Sequence, residues 1–249
     1  MQILSHCYKF NDLLNTLDLN KLNKVEDSVL LVEWKNLHDL MWSQNCIISP
    51  NRYVSTVQQI SKSKDIELFS GFAQNDLPEF LIFIIDCFHN ALQRKVEINI
   101  VGNVLNKTDI LAKECYKMIK NMYSDTYSEL LDLFYGIHVS LLISPNDNVV
   151  LSLKPEPFNL ISLPIPDNTQ NCSILDCFDL YTNNEMMNGD NAWYDDKTKT
   201  KKDVIKTLRF WSLPEILIVD LKRFNNNNKK INTVIDTPLT NLDLSKYII

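Results

Sequence analysis

The spacing of the apolar residues changes once along this 249-residue chain, near Phe134. Before that point apolar residues recur at helical intervals, and one such stripe comprises Leu30, Trp34, Leu37 and Met41. Beyond it they fall in short runs rich in branched side chains, at residues 137–143, 149–153 and 158–163. Helices followed by strands, rather than alternating with them, predict an α+β fold. We expect a helical part over residues 1–130 and a β part over residues 131–249.

Two helix starts can be located in the first half of the chain. Ser49 followed by Pro50 has the form of an N-cap and a proline in the first turn. Asp76 and Glu79 have the spacing of a capping box, which predicts a helix directly after Asp76. The apolar face of that helix is predicted to comprise Leu77, Phe80, Leu81, Ile84 and Phe88. A further helix is predicted from residue 109.

Prolines, alternating residues and a continuous apolar run predict the strands of the second half of the chain. Pro155 and Pro157 are expected to end the strand before them, because proline cannot donate to a sheet. Residues 204–211 alternate, as a half-buried strand does. Residues 216–224 contain an Ile-Leu-Ile-Val run, which predicts a strand buried on both faces.

The composition excludes several classes of protein. Apolar residues make up 45% of the chain and charged residues 22%, as in an ordinary globular protein. The longest apolar run, residues 80–85, is far shorter than the roughly 20 residues of a membrane span. No secretory signal is visible, and the net charge of −6 disfavours a general nucleic-acid binder. We therefore expect a soluble intracellular protein of the cytoplasm or nucleus that binds neither membranes nor nucleic acid.

The cysteines and glycines limit the chemistry further. The six cysteines, at positions 7, 46, 87, 115, 172 and 177, form no C-x-x-C pair and are read as free thiols. With only 4 glycines, the chain contains no glycine-rich phosphate-binding motif. We expect no cofactor.

Four segments, taken together and in order, resemble the ubiquitin-specific proteases, a family of cysteine isopeptidases. Residues 72–81 (FAQNDLPEFL), with Asp86 and His89, are similar to the family's Gln-Gln-Asp-x-x-Glu-Phe-Leu box, with Asn75 in place of the second Gln. Residues 134–140 and 157–165 resemble its F-x-G-x-x-x-S and E-P-F-x-x-L-S-L-P-I stretches. Residues 185–194 and 211–224 resemble the next box, with Asp220 where His is usual, and residues 230–247 resemble the last.

The resemblance implies a papain-like hand fold with a helical thumb, β fingers and an incomplete β palm. It implies thiol-dependent hydrolysis of ubiquitin C-terminal isopeptide and peptide bonds, with ubiquitin or a ubiquitinated protein as the partner. By the same resemblance, Gln74, Asp76 and Glu79 contact the basic C-terminal tail of ubiquitin through charge-assisted hydrogen bonds. The alternative is that Asp76 and Glu79 only cap the helix, and the two roles are compatible because a cap uses one oxygen of a carboxylate.

The resemblance also predicts that this chain is inactive by itself. Residues 1–6 (MQILSH) match the end of the family's cysteine box, so the nucleophile falls before Met1, and the histidine box falls after Ile249. A thiol nucleophile needs a base and a group that orients the base. Cys7 is a low-probability candidate for the nucleophile. Placing it at the nucleophile position of the cysteine box breaks the match of residues 2–6 to that box and the spacing to Trp34 and Pro50.

Other polar residues are assigned structural or surface roles. These are the four histidines, at positions 6, 38, 89 and 138, and the lysines at 197, 199, 201, 202 and 206. Where relatives carry zinc-binding C-x-x-C pairs, this chain has Asp195 and Thr198, so no metal is expected. Asp190, Asp195 and Asp196 could hold a hard cation, but a solvated hairpin is the preferred interpretation.

Three hypotheses on function remain open. The chain is a fragment of a ubiquitin-specific protease, a non-catalytic ubiquitin-binding module or scaffold (a pseudoenzyme), or a degenerate product that folds poorly. Affinity for ubiquitin distinguishes the second hypothesis from the third. The third also predicts aggregation, since loss of the C-terminal palm strands would expose a sheet edge.

Overall fold

The computed structural model describes residues 1–43, 47–167, 169–225 and 227–249, which form two compact units. The first unit comprises Met1–Ile98 and Met122–Phe134, and the second comprises Asn99–Asn121 and Tyr135–Ile249. The predicted order of helices before strands is confirmed, and so is the α+β class. The division into units differs from the single boundary predicted near residue 130, because residues 99–121 pack with the strands that follow them.

The first unit is helical. Its helices are α1 (Gln2–Ser5), α2 (Tyr8–Thr16), α3 (Glu26–Ser43), α4 (Asn51–Ser63), α5 (Leu77–Leu92) and α7 (Glu129–Phe134). Short 3-10 turns lie at Leu19–Lys21 and Glu67–Phe69. Helix α6 (Lys107–Tyr123) belongs to the second unit as far as Asn121.

Helix α3 confirms the predicted apolar stripe. Leu30, Trp34 and Leu37 are buried, while Met41 is half-buried. The ring of Trp34 lies 5.6 Å, centroid to centroid, from the ring of Tyr53 on α4. This aromatic contact joins α3 to α4 inside the core of the first unit.

The predicted cap of α4 is wrong by one residue. Pro50, not Ser49, occupies the N-cap position, and no side chain of the described residues caps this helix. The backbone N–H of Val54 donates to the Pro50 carbonyl at 2.9 Å, so helical bonding begins at the proline itself.

Helix α5 begins where the capping-box motif placed it. The Asp76 carboxylate accepts a hydrogen bond from the Glu79 backbone N–H, and Pro78 lies in the first turn. Ile84 and Phe88 of the predicted apolar face are buried. The other three are not, since Phe80 and Leu81 are half-buried and Leu77 is exposed. The first turn of α5 therefore extends beyond the packed core.

The second unit is built on an antiparallel sheet of four strands: β1 (Gly136–Ile143), β2 (Val150–Phe158), β5 (Glu185–Met187) and β8 (Val204–Ser212). Their order across the sheet is β2-β1-β8-β5. Leu111 and Cys115 of α6 are buried against Ile137, Val139 and Leu141 of β1. This contact explains why α6 groups with the strands.

The prolines of β2 do not end it, contrary to the prediction. Pro155 pairs with Val139, and Pro157 pairs with Ile137, within one continuous strand. Strand β2 lies at the edge of the sheet, where one side of the backbone has no partner strand among the described residues and proline is tolerated.

Smaller strand pairs complete the second unit. Strands β3 (Leu160–Leu163) and β9 (Ile218–Leu221) are parallel, as are β4 (Asn171–Ser173) and β10 (Val234–Asp236). Strands β6 (Trp193–Asp195) and β7 (Thr200–Lys202) form a hairpin. The prediction that residues 216–224 are buried on both faces is wrong, because β9 is shorter and all four of its residues are half-buried. Among the described residues, β9 pairs only with β3.

The part of the chain predicted to be β also contains a helix that the sequence analysis did not predict. Helix α8 (Ile174–Tyr181) follows β4 and begins with a full capping box between Ser173 and Asp176. Its Cys177 and Phe178 are buried in a cluster with Phe210. Short 3-10 turns lie at Gly189–Asn191 and Ser245–Tyr247.

Within the residues that the structure describes, no helix has both the length and the apolar character needed to cross a membrane.

Candidate functional site

The start of α5 carries the three side chains predicted to bind a partner. Gln74, Asp76 and Glu79 are all exposed and lie within the first helical turn or just before it. The amide of Gln74 and the carboxylate of Glu79 make no hydrogen bond or ion pair within the described chain, and the cap engages only one oxygen of Asp76. Two carboxylates and an amide are therefore available to an incoming donor.

The loop before α5 is fixed by two hydrogen bonds that the sequence did not reveal. The amide of Gln58 on α4 donates to the Gly71 carbonyl at 3.1 Å. The amide of Asn75 donates to the Ala73 carbonyl, also at 3.1 Å. The first bond ties Gly71 to α4, and the second lies within the loop that carries Gln74.

A cavity of about 330 Å³ adjoins this helix start inside the first unit. Its apolar walls include Val57, Phe69, Leu77 and Phe80, and Asp76 lies on its lining. This arrangement can accept an apolar side chain next to a basic one. It also accounts for the exposure of Leu77, which borders the cavity instead of the core.

Cys7 lies at the N-cap position of α2 and is half-buried. Its thiol donates to the Ile3 carbonyl at 3.3 Å. Burial raises the pKa of Cys7, so the neutral thiol predominates at neutral pH. This environment is the opposite of the one that activates a nucleophilic cysteine.

The remaining described cysteines are free thiols, and Cys46 lies outside the described residues. Burial, followed by the charge of Asp27, raises the pKa of Cys87. Burial raises the pKa of Cys115 to about 11 and, together with the neighbouring Cys172, that of Cys177 to about 11. The prediction of free thiols is confirmed for these positions.

The histidines contact groups other than cysteine. His6 lies 2.8 Å from the Gln2 carbonyl, and His89 lies 2.7 Å from the Ser128 hydroxyl. His138 stacks on the ring of Phe158 with its centroid 5.6 Å away. The fourth, His38, lies beside the rings of Trp34 and Trp42. No hydrogen bond joins a cysteine to a histidine among the described residues.

The β6–β7 hairpin carries Asp195, one of the positions at which the sequence predicted no metal. Asp195 accepts hydrogen bonds from the Lys202 ammonium at 2.6 Å and from the Thr198 hydroxyl at 2.9 Å. These bonds, with Lys202 contributing most, lower the pKa of Asp195. Since Lys202 already supplies the positive charge, this carboxylate has no need of a cation. No group of three ligand-type side chains that could hold a metal occurs in the described part of the chain.

Several members of the lysine cluster are engaged by neighbouring groups, of which the Asp195 and Asp196 carboxylates are charged. Lys201 donates to the Asp190 carbonyl at 3.1 Å, and Lys199 lies 3.6 Å from the Asp196 carboxylate. A solvated strand face, as predicted, fits these contacts.

Residues 1–249 match the family described as Ubiquitin carboxyl-terminal hydrolase. The chain is 27% identical over 253 residues to the ubiquitin carboxyl-terminal hydrolase Usp2 of Drosophila melanogaster, covering 98% of this chain and 25% of that protein. It is 27% identical over 227 residues to ubiquitin carboxyl-terminal hydrolase 2 of Homo sapiens, covering 88% and 36%. The chain thus spans about a quarter to a third of the length of these relatives.

A solved structure shares the fold. A chain of the SAGA Ubp8/Sgf11/Sus1/Sgf73 DUB module bound to ubiquitin aldehyde aligns with a TM-score of 0.70 at 19% identity, over 100% of this chain and 50% of that one. The α+β fold described above is therefore that of the ubiquitin-specific proteases. The chain belongs to the ubiquitin carboxyl-terminal hydrolase family, which confirms the resemblance found in its sequence.

Proposed function

We propose that this chain is the ubiquitin-binding part of a ubiquitin-specific-protease-type deubiquitinase domain and does not hydrolyse ubiquitin conjugates by itself. The observation that carries the proposal is the unused hydrogen-bonding capacity of Gln74, Asp76 and Glu79 at the start of α5, in a chain of this family. A deubiquitinase domain of this type would cleave isopeptide and peptide bonds at the C-terminus of ubiquitin by thiol chemistry.

Charge and hydrogen-bonding capacity support ubiquitin as the partner. The C-terminal tail of ubiquitin is basic, and Asp76 and Glu79 offer carboxylate oxygens that no other described side chain engages. Hydrogen bonds between a cation and a carboxylate are shorter and stronger than neutral ones. Gln74 adds an amide that can pair with a peptide group of an extended tail.

The cavity beside α5 supports the same proposal. Apolar walls from Val57 and Phe69 adjoin the Asp76 carboxylate, a combination suited to a tail that carries aliphatic as well as basic side chains. The structural neighbour whose fold this chain shares was solved bound to ubiquitin aldehyde.

The thiols and imidazoles support inactivity of this chain alone. Cys7 has a raised pKa, and its thiol is hydrogen-bonded to the Ile3 carbonyl and not to the neighbouring His6. Without an adjacent base, a neutral thiol attacks a carbonyl poorly. The alternative function is hydrolysis through Cys7, which requires a base to reach its thiol. The free thiols favour a reducing compartment, and we place the protein in the cytoplasm or nucleus.

The test is a calorimetric titration of the purified chain with ubiquitin. Asp76→Asn and Glu79→Gln each remove one charge and preserve shape, and each should weaken binding by about tenfold. Asp12→Asn, an exposed carboxylate on α2, is the matched control and should bind as the unmodified chain does. No binding by the unmodified chain, or equal weakening by the control, would refute the proposal.

A further inference from the structure

Two cysteines of the second unit lie on either side of a helix start. Cys172 belongs to β4, and Cys177 is the fourth residue of α8. The capping box fixes the turn between them, because the Asp176 carboxylate accepts the Ser173 backbone N–H at 2.7 Å and the Ser173 hydroxyl accepts the Asp176 backbone N–H at 3.1 Å. At such a start, the residue before the cap and the fourth residue of the helix often pack against each other. Both of these positions carry thiols here.

The core of this unit brings the two thiols together. Cys177 is fully buried in the cluster that contains Phe178 and Phe210, and Cys172 packs against the same cluster. Cys172 is near enough to contribute, after burial, to the raised pKa of Cys177. Both cysteines are free thiols. The two reactants of an intramolecular disulfide are therefore neighbours in the folded chain.

The two thiols differ in their access to solvent. Cys172 is half-buried and open in part to small solutes, whereas Cys177 is fully buried. Oxidation of a protein thiol by a peroxide depends on the exposure and the thiolate character of that thiol. Since the pKa of Cys177 is raised to about 11, this thiol is neutral at neutral pH. Cys172 is therefore the thiol that meets an oxidant first, and Cys177 is the one placed to attack it afterwards.

We propose that Cys172 and Cys177 form a redox-sensitive pair, which a peroxide converts to an intramolecular disulfide. The Cys172 sulfur attacks the peroxide, the O–O bond breaks, and Cys172 becomes a sulfenic acid while the other peroxide oxygen leaves as water or an alcohol with the thiol proton. The Cys177 sulfur then attacks the sulfenic sulfur, the S–S bond forms, and the hydroxide leaves as water with the Cys177 proton. Together the thiols lose two electrons, which the peroxide gains.

The disulfide would join β4 to α8 across the capping box. It is compatible with the reducing compartment proposed above, where protein disulfides are usually transient and redox-sensing. The pair shares no residue with the start of α5, so this inference is independent of the proposed ubiquitin site.

The test is treatment of the folded, full-length chain with hydrogen peroxide, followed by alkylation of the remaining thiols, digestion without reductant and mass spectrometry. We expect one crosslinked product, which joins Cys172 to Cys177, is lighter by about 2 Da and is reversed by dithiothreitol. Cys172→Ser and Cys177→Ser should each abolish this product. Cys115→Ser is the matched control, because Cys115 is as buried as Cys177 but lies in another cluster, and it should form the disulfide at an unchanged rate.

Three results would overturn the proposal. A sulfinic or sulfonic acid on Cys172 in place of the disulfide would show that Cys177 does not reach it. A disulfide to a different cysteine, or no oxidation of Cys172, would exclude the pair as the sensitive site. A crosslink that forms as fast in urea as in the folded chain would show that the contact in the fold is not its cause. The unmodified chain yields all three results, so the test does not depend on whether a serine variant folds.

Discussion

The backbone N–H of Glu79 donates to the carboxylate of Asp76 across 3.4 Å, while the carboxylate of Glu79 itself stays unengaged among the described residues. The capping bond is long, near the limit of a hydrogen bond, and it uses one of the two Asp76 oxygens. The same residue can therefore cap α5 and still offer an oxygen to a ligand.

The two roles of Asp76 can be separated by substitution. Asn caps helices about as well as Asp, so Asp76→Asn should leave the free energy of unfolding within about 0.5 kcal/mol while weakening ubiquitin binding. Asp76→Ala removes the cap as well and should cost about 1 kcal/mol of stability. Urea unfolding beside the binding titration checks both. If Asp76→Asn binds ubiquitin with normal affinity, Asp76 caps α5 and does not bind ubiquitin.

Gly136 is predicted to tolerate no side chain. A Cβ at this position would lie 2.5 Å from the ring of Phe158 and 2.7 Å from the carbonyl oxygen of Ser212. Since the neighbouring strands on both sides would have to shift, Gly136→Ala should lower the free energy of unfolding by about 1–3 kcal/mol.

The matched control for that substitution is Gly71→Ala. A Cβ at Gly71 meets no atom within 4 Å, so its unfolding transition should be unchanged or slightly more stable. Equal urea midpoints for the two alanine variants would show that the close approach at Gly136 is absent.

His89 should make stability depend on pH. Burial lowers the pKa of His89 in the folded chain, with the charge of Asp86 acting more weakly in the opposite direction. The unfolded chain takes up this proton near the ordinary histidine pKa of about 6.5, above the folded pKa. Between these two values the unfolded state binds more protons, so the free energy of unfolding should fall as the pH is lowered from about 7 through 6.5.

The His89→Gln variant isolates this effect. It keeps a group that can hydrogen-bond to Ser128 but cannot take up a proton, so its stability should change less over the same pH window. Urea unfolding at a series of pH values provides the measurement, and identical slopes for the two proteins would exclude His89 as the cause.

Cys7 should resist a ubiquitin-directed electrophile. Its raised pKa and its hydrogen bond to Ile3 keep the thiol neutral, and reaction with a thiol-reactive warhead requires thiolate. After incubation with ubiquitin bearing a C-terminal electrophile, intact mass should show no adduct at neutral pH. An adduct that Cys7→Ser abolishes and Cys46→Ser preserves would establish Cys7 as a nucleophile.

Local sequence signals predicted where helices lie better than they predicted which strands pair in the sheet. The stripe through Leu30 and Trp34 located α3 because helical burial depends on residues three or four apart. The Ser173–Asp176 spacing is an equally local signal for α8, but a helix of 8 residues is too short to show a long apolar stripe. The prolines of β2 were misread because tolerance depends on which strand lies beside them, and that is a property of the folded sheet.

The candidate site is also only partly predictable from local sequence. The capping motif locates Asp76 and Glu79 at the start of a helix, whereas their selection as site residues, with Gln74, rests on the family resemblance. The bond from Gln58 to Gly71 joins residues 13 positions apart, and no local pattern indicates it. The grouping of α6 with the strands likewise depends on contacts of Cys115 with β1, which only the three-dimensional structure reveals.

The central claim is that the start of α5 holds the tail of ubiquitin. Its most direct test compares, by calorimetry, intact ubiquitin with ubiquitin trimmed of its basic C-terminal tail. We expect intact ubiquitin to bind and the trimmed form to bind at least about tenfold more weakly, with Glu79→Gln having no further effect on the trimmed form. Equal affinity for both forms would contradict the assignment of this site.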